Sequence, residues 1–281
     1  LIENKANYGF AAGNNIGISH AVGRYIVLLN NDTRADPDFL KHLVRVAEQH
    51  PRVGMCAAKV YLDSGERIID TVGHLIYRDG LNRGRGRLEL DMGQYDETEE
   101  VLFPSGSAAL YKKEMLDEIG LFDEDFFAYG DDTDIGLKAR LAGWQCLFVP
   151  QAIVYHKYSG STSAYSPLKA FLVERNRIWI AIKYFPLPLL VLNPYYAFTR
   201  YAFQAYGALT YRGAAGLFAQ QYSHVKLFSI LFRAHIAAIK EFPKMWHKRK
   251  QIKRDTAVSK REIYAWFEKF GIGVKELALK D

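Results

Sequence analysis

Apolar and polar residues alternate along the chain in short blocks. In the clearest block, the apolar residues 25–29 are followed at once by Asn30, Asn31 and Asp32. A continuous apolar run of this kind predicts a parallel strand buried on both faces, and ligands of open α/β sheets bind at the carboxyl ends of such strands. We therefore expect Asp32 to face a crevice, where its carboxylate either ligates a hard divalent cation or begins a turn.

The same pattern predicts further elements. Asp36 and Pro37 precede a helical stripe of apolar residues over 39–47, which predicts a helix ending before Pro51. Residues 53–60 predict a second buried strand, and residues 67–77 a strand or hairpin. Strands alternating with helices predict an α/β fold.

A second polar block places three carboxylates, Asp131, Asp132 and Asp134, at the start of a predicted helix. The helix dipole favours their ionised form, so one of them would accept a proton from a bound hydroxyl only if burial raises its pKa. An aspartate-rich helix cap is the alternative. His156 ends a short predicted strand and is either a structural residue or a ligand of a divalent ion. These groups could share one sheet edge.

Charge is divided unevenly along the chain. The net charge is +6, but residues 1–150 carry an excess of acidic residues and residues 151–281 a large excess of basic ones. The two cysteines, Cys56 and Cys146, lie in apolar runs without metal-ligand spacing. They are expected to be buried thiols in a reducing compartment.

The carboxyl third has the composition of a surface that contacts membranes. Prolines and Arg200 interrupt the apolar residues 185–209, so we expect interfacial helices rather than one spanning helix. Residues 240–254 mix basic and aromatic side chains, which favours attraction to anionic lipid over a solvated helix end. No nucleic-acid motif accompanies them. The basic residues are Lys240, Lys244, Lys248, Arg249, Lys250, Lys253 and Arg254.

Five blocks in order resemble the family 2 glycosyltransferases of GT-A fold, and most nearly their rhamnosyltransferase-like branch. The blocks are residues 7–18, 28–33, 103–108, 119–127 and 130–134. The resemblance covers about residues 4–160. It implies a mixed sheet flanked by helices within residues 1–165 and leaves residues 166–281 as a helical, basic, membrane-associating region. It also predicts that about 60 further residues, including a first βαβ segment, belong before Leu1 in such a domain.

The resemblance implies roles for individual residues. Asp32 stands in the D-x-D-type motif as a ligand of Mg²⁺ or Mn²⁺ held by the donor diphosphate, with Asn30 in place of the first acid. His156 completes the metal site. Asp132 is implied as the general base, with Asp131 beside it. The implied donor-binding residues are Asn7, Gly9, Phe10, Gly13, Asn15, Asn30, Asn31 and Asp32, and the implied acceptor or sugar pocket is Ser105, Gly106, Ser107 and Asp134.

The implied function is inverting, metal-dependent transfer of a sugar, rhamnose or a related hexose, in cell-surface polysaccharide synthesis. The expected donor is a dTDP- or UDP-sugar, and the expected acceptor is a glycan or a polyprenyl-linked glycan. We expect a peripheral position at the cytoplasmic face of the cell membrane, on an anionic membrane surface, and no nucleic-acid partner. The alternative is a non-catalytic, degenerate glycan-binding remnant.

Overall fold

The computed structural model describes residues 1–157 and 166–280. The chain divides into two units: Leu1–His74 with Gly84–Gly160, and Leu75–Arg83 with Ser161–Asp281. The boundary expected at residue 165 falls at the end of a stretch outside the described residues. Residues 75–83, which the sequence placed in the first domain, belong to the second unit.

The first unit is built on a mixed sheet of seven strands. The strands of the chain are β1 (Tyr25–Leu29), β2 (Thr33–Ala35), β3 (Val53–Leu62), β4 (Ile69–Thr71), β5 (His74–Ile76), β6 (Asn82–Gly84), β7 (Glu99–Val101), β8 (Ala108–Lys112) and β9 (Gln145–His156). The main path of the sheet runs β1-β8-β3-β9-β2, with β4 beside β3 and β7 beside β9. Strands β5 and β6 form a separate pair. The central strands β3 and β9 run parallel, and the other described pairings of the sheet are antiparallel.

The expectation that residues 25–29 form a parallel strand is wrong. Strand β1 pairs with β8 in antiparallel register, with Tyr25 opposite Lys112 and Leu29 opposite Ala108. An unbroken apolar run indicates burial but carries no information about the direction of the neighbouring strand. The polar residues after Leu29 still follow the end of a sheet strand, as expected.

Helices flank this sheet, which confirms the predicted fold class. They are α1 (Gly9–His20), α2 (Phe39–Gln49), α3 (Lys113–Ile119) and α4 (Asp131–Leu141), with a 3₁₀ turn at Glu124–Phe126. Helix α2 forms where the apolar stripe predicted it, and its Phe39, Leu43 and Ala47 pack into the main core against β3, β8 and β9. Cys56 and Cys146 are free and buried, as expected, and burial raises the pKa of Cys56 to about 12.

The second unit is helical. Its helices are α5 (Pro167–Tyr184), α6 (Leu187–Thr210), α7 (Gly213–Gln221), α8 (His224–Lys240), α9 (Phe242–Arg254), α10 (Lys260–Lys269) and α11 (Val274–Leu279). Where the sequence predicted more than one interfacial helix over residues 185–209, a single helix, α6, continues through Pro194. Buried side chains of α6 on both sides of the proline, Leu189 and Arg200 among them, hold the helix despite the lost backbone hydrogen bond. Among the described residues, the helices are all too short or too polar to cross a bilayer.

A buried ion network holds residues 75–83 within the second unit. Arg200 on α6 donates to Asp79 at 2.5 Å and pairs with Glu174 on α5 at 3.0 Å. Arg177 also pairs with Glu174. Two guanidinium groups and two carboxylates therefore balance one another in a buried setting. This network is one physical reason that residues 75–83 group with the second unit, beside the backbone hydrogen bonds of Ile76 with Phe270 and Ile272.

One basic residue expected to face lipid does not do so. Arg249 is buried, and its guanidinium donates to the carbonyl oxygens of Ile182 at 2.7 Å and Phe185 at 2.6 Å. These acceptors lie at the end of α5, so Arg249 caps that helix. Burial lowers the pKa of Arg249. Its role is structural.

Candidate active site

Two residues predicted from separate strand ends meet in the first unit. Strand β2 pairs with β9 so that Thr33 lies opposite His156, and the backbone N–H of Lys157 donates to the Asp32 carbonyl at 2.9 Å. The Asp32 Oδ1 atom lies 3.3 Å from the His156 Nε2 atom. The antiparallel pairing therefore brings the carboxylate and the imidazole into direct contact.

A third residue orients this imidazole. Asp70 on β4 accepts a hydrogen bond from His156 Nδ1 at 2.8 Å, and its other oxygen accepts from Arg87 at 2.5 Å. Burial alone would lower the pKa of His156, but the hydrogen bond and charge of Asp70, together with the charge of Asp32, raise it. Two carboxylates thus surround one ring, and this arrangement favours a positive charge between them.

These residues fit a divalent cation. Asp70 fixes the ring through Nδ1, as carboxylates do for metal-binding histidines, and Nε2 is directed toward Asp32. Asp32 and His156 would be the protein ligands, and a cation there would supply the positive charge that the two carboxylates favour. Within residues 1–157 and 166–280, three or more His, Cys, Asp or Glu side chains do not assemble into a metal site. Such a cation would need further ligands from a bound molecule.

The first turn of α4 presents the acidic residues. A tight turn precedes it, in which Phe127, Tyr129 and Gly130 all have φ values between +60° and +85°. Such conformations are strained for Phe and Tyr and are concentrated at functional sites. At Gly136, a Cβ atom would lie 2.3 Å from Phe103 Cβ, so only glycine allows the helix to pack this closely. The Arg140 Nε–H group donates to the Leu102 carbonyl oxygen at 2.9 Å and so holds the same helix to this segment.

The neighbouring carboxylates of α4 lie in different surroundings. Asp131 and Asp134 are buried, whereas Asp132 is partly exposed. Burial, followed by the negative charge of Asp132, raises the pKa of Asp131 well above its ordinary value. Asp131 therefore favours its neutral form, which relieves the repulsion on its neighbour. Asp132 is the more accessible carboxylate for a bound hydroxyl.

The loop before β8 joins the residues that follow β1 to the acidic start of α4. The Asn30 N–H donates to the Ser107 carbonyl at 3.0 Å, and the Gly106 N–H lies 3.5 Å from Asp132 Oδ2. The hydroxyls of Ser105 and Ser107 are 2.9 Å apart. Residues predicted from three distant blocks thus form one continuous cluster in the first unit.

Helix α1 is held against neighbouring segments mainly by backbone hydrogen bonds and packing. The Phe10 N–H donates to the Phe127 carbonyl at 2.6 Å, and Asn7 Oδ1 accepts from the Gly9 N–H at 2.9 Å. The Asn15 amide bonds both backbone groups of Phe122 and the carboxylate of Glu124. Asn15 therefore holds a neighbouring loop with its side chain. A Cβ atom at Gly13 would meet nothing within 4 Å, and Asn31 is exposed.

Three residues of the cluster were not predicted from the sequence: Asp70, Arg87 and His74. His74 stacks on Phe103, with ring centroids 5.1 Å apart, and the charges of Asp132 and Asp70 act on its ring. Burial lowers the pKa of His74 more than these charges raise it, so its neutral form is favoured. A carboxylate between Ile69 and Thr71 on an apolar strand was the signal available for Asp70.

The sequence model of the family described as "Glycosyltransferase like family 2" matches residues 1–180. The chain belongs to the family 2 glycosyltransferases. This family 2 protein is 26% identical over 166 residues to the O-antigen biosynthesis protein RfbC of Myxococcus xanthus, covering 56% of this chain and 13% of that protein. It is 40% identical over 58 residues to the N-acetylglucosaminyl-diphospho-decaprenol L-rhamnosyltransferase of Mycobacterium tuberculosis (strain ATCC 25618 / H37Rv), covering 21% of this chain and 19% of that enzyme.

A solved structure shares the fold of this glycosyltransferase family member. GalNAc-T7, crystallised with UDP, GalNAc and Mn²⁺, aligns with a TM-score of 0.52 and 18% identity over 65% of this chain and 36% of that one. The matched regions span less than a fifth of either curated relative. The family and the fold prediction are thus confirmed, whereas the individual site residues stay predictions.

Proposed function

We propose that this protein transfers a sugar from a nucleoside diphosphate sugar to a hydroxyl of a glycan or polyprenyl-linked acceptor in cell-surface polysaccharide synthesis. The observation that carries the proposal is that the loop of Ser105–Ser107 contacts both Asn30, two residues before the Asp32–His156 pair, and Asp132 on α4. A site for a phosphate-bound cation and a proton acceptor are the two parts that such a transfer needs.

In this proposal Asp132 accepts the proton of the acceptor hydroxyl. Its carboxylate is partly exposed and lies near the Gly106 N–H, while buried Asp131 favours the neutral form. Asp32 and His156 would hold Mg²⁺ or Mn²⁺ against the donor diphosphate. When bound, the cation would offset the charge that develops on the departing nucleoside diphosphate. Direct attack by one activated hydroxyl would invert the anomeric configuration.

The proposed donor is a dTDP- or UDP-linked rhamnose or related hexose. The name of the Mycobacterium tuberculosis relative specifies an L-rhamnosyltransferase acting on a diphospho-decaprenol-linked N-acetylglucosamine. The Myxococcus relative is named for O-antigen biosynthesis. Both names support an acceptor of the lipid-linked or surface-glycan class for this chain.

A donor panel tests the proposal. Purified protein is incubated with Mn²⁺ or Mg²⁺, dTDP- and UDP-sugars, and a polyprenyl diphosphate N-acetylglucosamine acceptor, and the products are read by mass spectrometry. We expect a mass gain of one hexose or deoxyhexose that is lost with chelator and in the Asp132→Asn variant. NMR of the new linkage should show inversion.

A degenerate glycan-binding remnant would give a different result. It would bind donor or acceptor in calorimetry yet produce no transfer with any donor in the panel. That outcome would contradict the proposed activity. Retained transfer by Asp132→Asn would instead contradict the role of this residue while leaving the reaction itself in place.

A further inference from the structure

The outward faces of two helices in the second unit are apolar. On α6, Val191 is 75% and Phe198 is 70% exposed, and Tyr195 between them is also exposed. The spacing of four and three residues places these side chains on one side of the helix. The buried residues Asn193, Ala197 and Arg200 occupy the other side. Helices of globular proteins ordinarily present polar residues to solvent on this outer side.

Helix α8 repeats the pattern. Its exposed residues Val225, Phe228, Phe232, Ile236 and Ile239 recur at intervals of three and four residues. Val225 is 77% and Phe228 is 72% exposed, so these are large side chains almost fully in solvent. The buried residues of the same helix, Ile230, Ala234 and Ala238, lie on the opposite side. We call the exposed side chains of α8, Val225, Phe228, Phe232, Ile236 and Ile239, the apolar face.

A row of basic residues borders the apolar face on α8. Lys226, Arg233 and Lys240 are exposed and are spaced seven residues apart, so they form a line along one flank of the exposed apolar residues. Long basic side chains at such a flank can place their charges in the headgroup region while their stems lie on apolar surface.

Acidic residues are absent from a long stretch of sequence around these helices. Residues 175–240 contain no aspartate and no glutamate, although they include Arg212 and the basic row. A face that is apolar and flanked by positive charge, with Glu241 after the last basic residue of the row as the first acidic residue, matches the chemistry of an anionic bilayer surface. A second copy of the same helix face would offer the basic row no acidic partner, because residues 175–240 contain no aspartate or glutamate.

We propose that the apolar face of α8 inserts into the headgroup layer of an anionic lipid bilayer, with Lys226, Arg233 and Lys240 contacting lipid phosphates. The attachment is peripheral, because the described helices cannot cross the membrane. It differs from attachment through residues 240–254 alone, where Arg249 is committed to the end of α5. A cytoplasmic-face location stays a prediction from the sequence.

Vesicle co-sedimentation tests the apolar part of the proposal. Phosphatidylcholine vesicles with and without phosphatidylglycerol are mixed with the purified protein, without donor or acceptor, so this test and the sugar-transfer test fail independently. Phe228→Ser combined with Phe232→Ser should weaken binding about tenfold or more. The matched control replaces two exposed apolar residues of the first unit, Val22→Ser with Met92→Ser, and should bind as the unchanged protein does.

The charged part has its own variant. Lys226→Gln, Arg233→Gln and Lys240→Gln together should weaken binding to anionic vesicles about tenfold or more at low salt. High salt should remove most of this difference. The matched control neutralises three exposed basic residues of the first unit, Arg24, Lys41 and Arg45. Equal losses of vesicle binding in the basic-row variant and in the control variant would show that net charge alone is responsible. That result would overturn the assignment to the basic row.

A labelled cysteine gives direct evidence of insertion. Both native cysteines are buried, so a cysteine introduced at Phe232 can be labelled selectively with an environment-sensitive dye. Anionic vesicles should shift its emission to the blue, and the same dye at Met92 should not respond. Unchanged emission of the dye at position 232 would overturn the proposal. So would vesicle binding by the Phe228→Ser, Phe232→Ser variant that equals binding by the unchanged protein. So would a dimer that the phenylalanine variant converts to monomer while vesicle binding is absent, because the face would then bind a second copy.

Discussion

Each unit buries a cluster of charged side chains, and the two clusters differ in charge balance. In the second unit, Arg177 and Arg200 face Asp79 and Glu174. Burial would raise the pKa of Glu174, but the two guanidinium groups lower it to about 2. In the first unit, burial and the charges of Asp132 and Asp134 raise the pKa of Asp131 well above its ordinary value. Burial therefore acts in the same direction on both carboxyls, but their pKa values shift in opposite directions because guanidinium groups surround Glu174 and carboxylates surround Asp131.

The difference in charge balance distinguishes a structural network in the second unit from a reactive site in the first unit. A balanced network satisfies its own charges and holds residues 75–83 against α5 and α6. A cluster in which burial raises the pKa of one carboxyl is suited to proton exchange, and such perturbed groups are concentrated at functional sites. Substitutions in the cluster of the first unit should therefore change turnover, and substitutions in the network of the second unit should change stability.

The largest expected effect is on turnover. Asp132→Asn keeps the side-chain volume and removes the proton acceptor, so the transfer rate should fall by about 10²–10⁴ while donor affinity and unfolding free energy change little. Steady-state kinetics, calorimetry and urea unfolding measure the three quantities. Asp117→Asn, on the exposed surface of α3, is the matched control. Full activity in Asp132→Asn with loss in Asp131→Asn would reverse the assignment.

The next effect is on stability. Arg200→Met removes the guanidinium that pairs with both Asp79 and Glu174, so uncompensated negative charge stays buried. The unfolding free energy should fall by about 3–5 kcal/mol in urea denaturation. Arg212→Met, at an exposed position, should cost much less. A loss equal to that of the control would show that the network contributes little.

Acid should weaken the same network. The pKa of Glu174 is lowered to about 2 in the folded protein, so its stabilisation is complete above the unfolded-state pKa and is lost as pH falls toward 2. This contribution is on the order of 3 kcal/mol. Glu174→Gln should flatten the fall of unfolding free energy between about pH 4.5 and 2, and the surface variant Glu48→Gln should not. If the curves of unfolding free energy against pH were parallel for Glu174→Gln and the unchanged protein, this contribution would be refuted.

The smallest expected effect concerns the orientation of His156. Asp70→Asn weakens the hydrogen bond to Nδ1, and Mn²⁺ affinity measured by calorimetry with UDP present should fall by about 10–100-fold. Asp63→Asn, which only disturbs a surface pair with Arg34, is the control. Unchanged Mn²⁺ affinity in Asp70→Asn would remove Asp70 from the site.

Local sequence pattern predicted the strand end at Asp32, the acidic start of α4 and the strand end at His156. These features depend on residues close together in the sequence, and the resemblance to the family assigned them to one site. The contact of Asp70 with His156 joins residues 86 positions apart, and no local pattern encodes it. The same holds for Asp79 and Arg200, whose pairing moves residues 75–83 into the second unit. Interfacial helices were predicted for residues 185–209, but the exposed apolar side of α8 was not predicted, because apolar helical residues normally indicate a core.

The ionisation of the aspartates tests the contrast between the clusters most directly. With carboxyl carbons of aspartate labelled by ¹³C, an NMR titration reports the pKa of each group in the folded protein. We predict one aspartate that titrates well above the ordinary range and disappears from the spectrum in Asp131→Asn. Titration of every aspartate within or below the ordinary range would show that the charge of the α4 cluster is compensated, and would contradict its assignment as the reactive site.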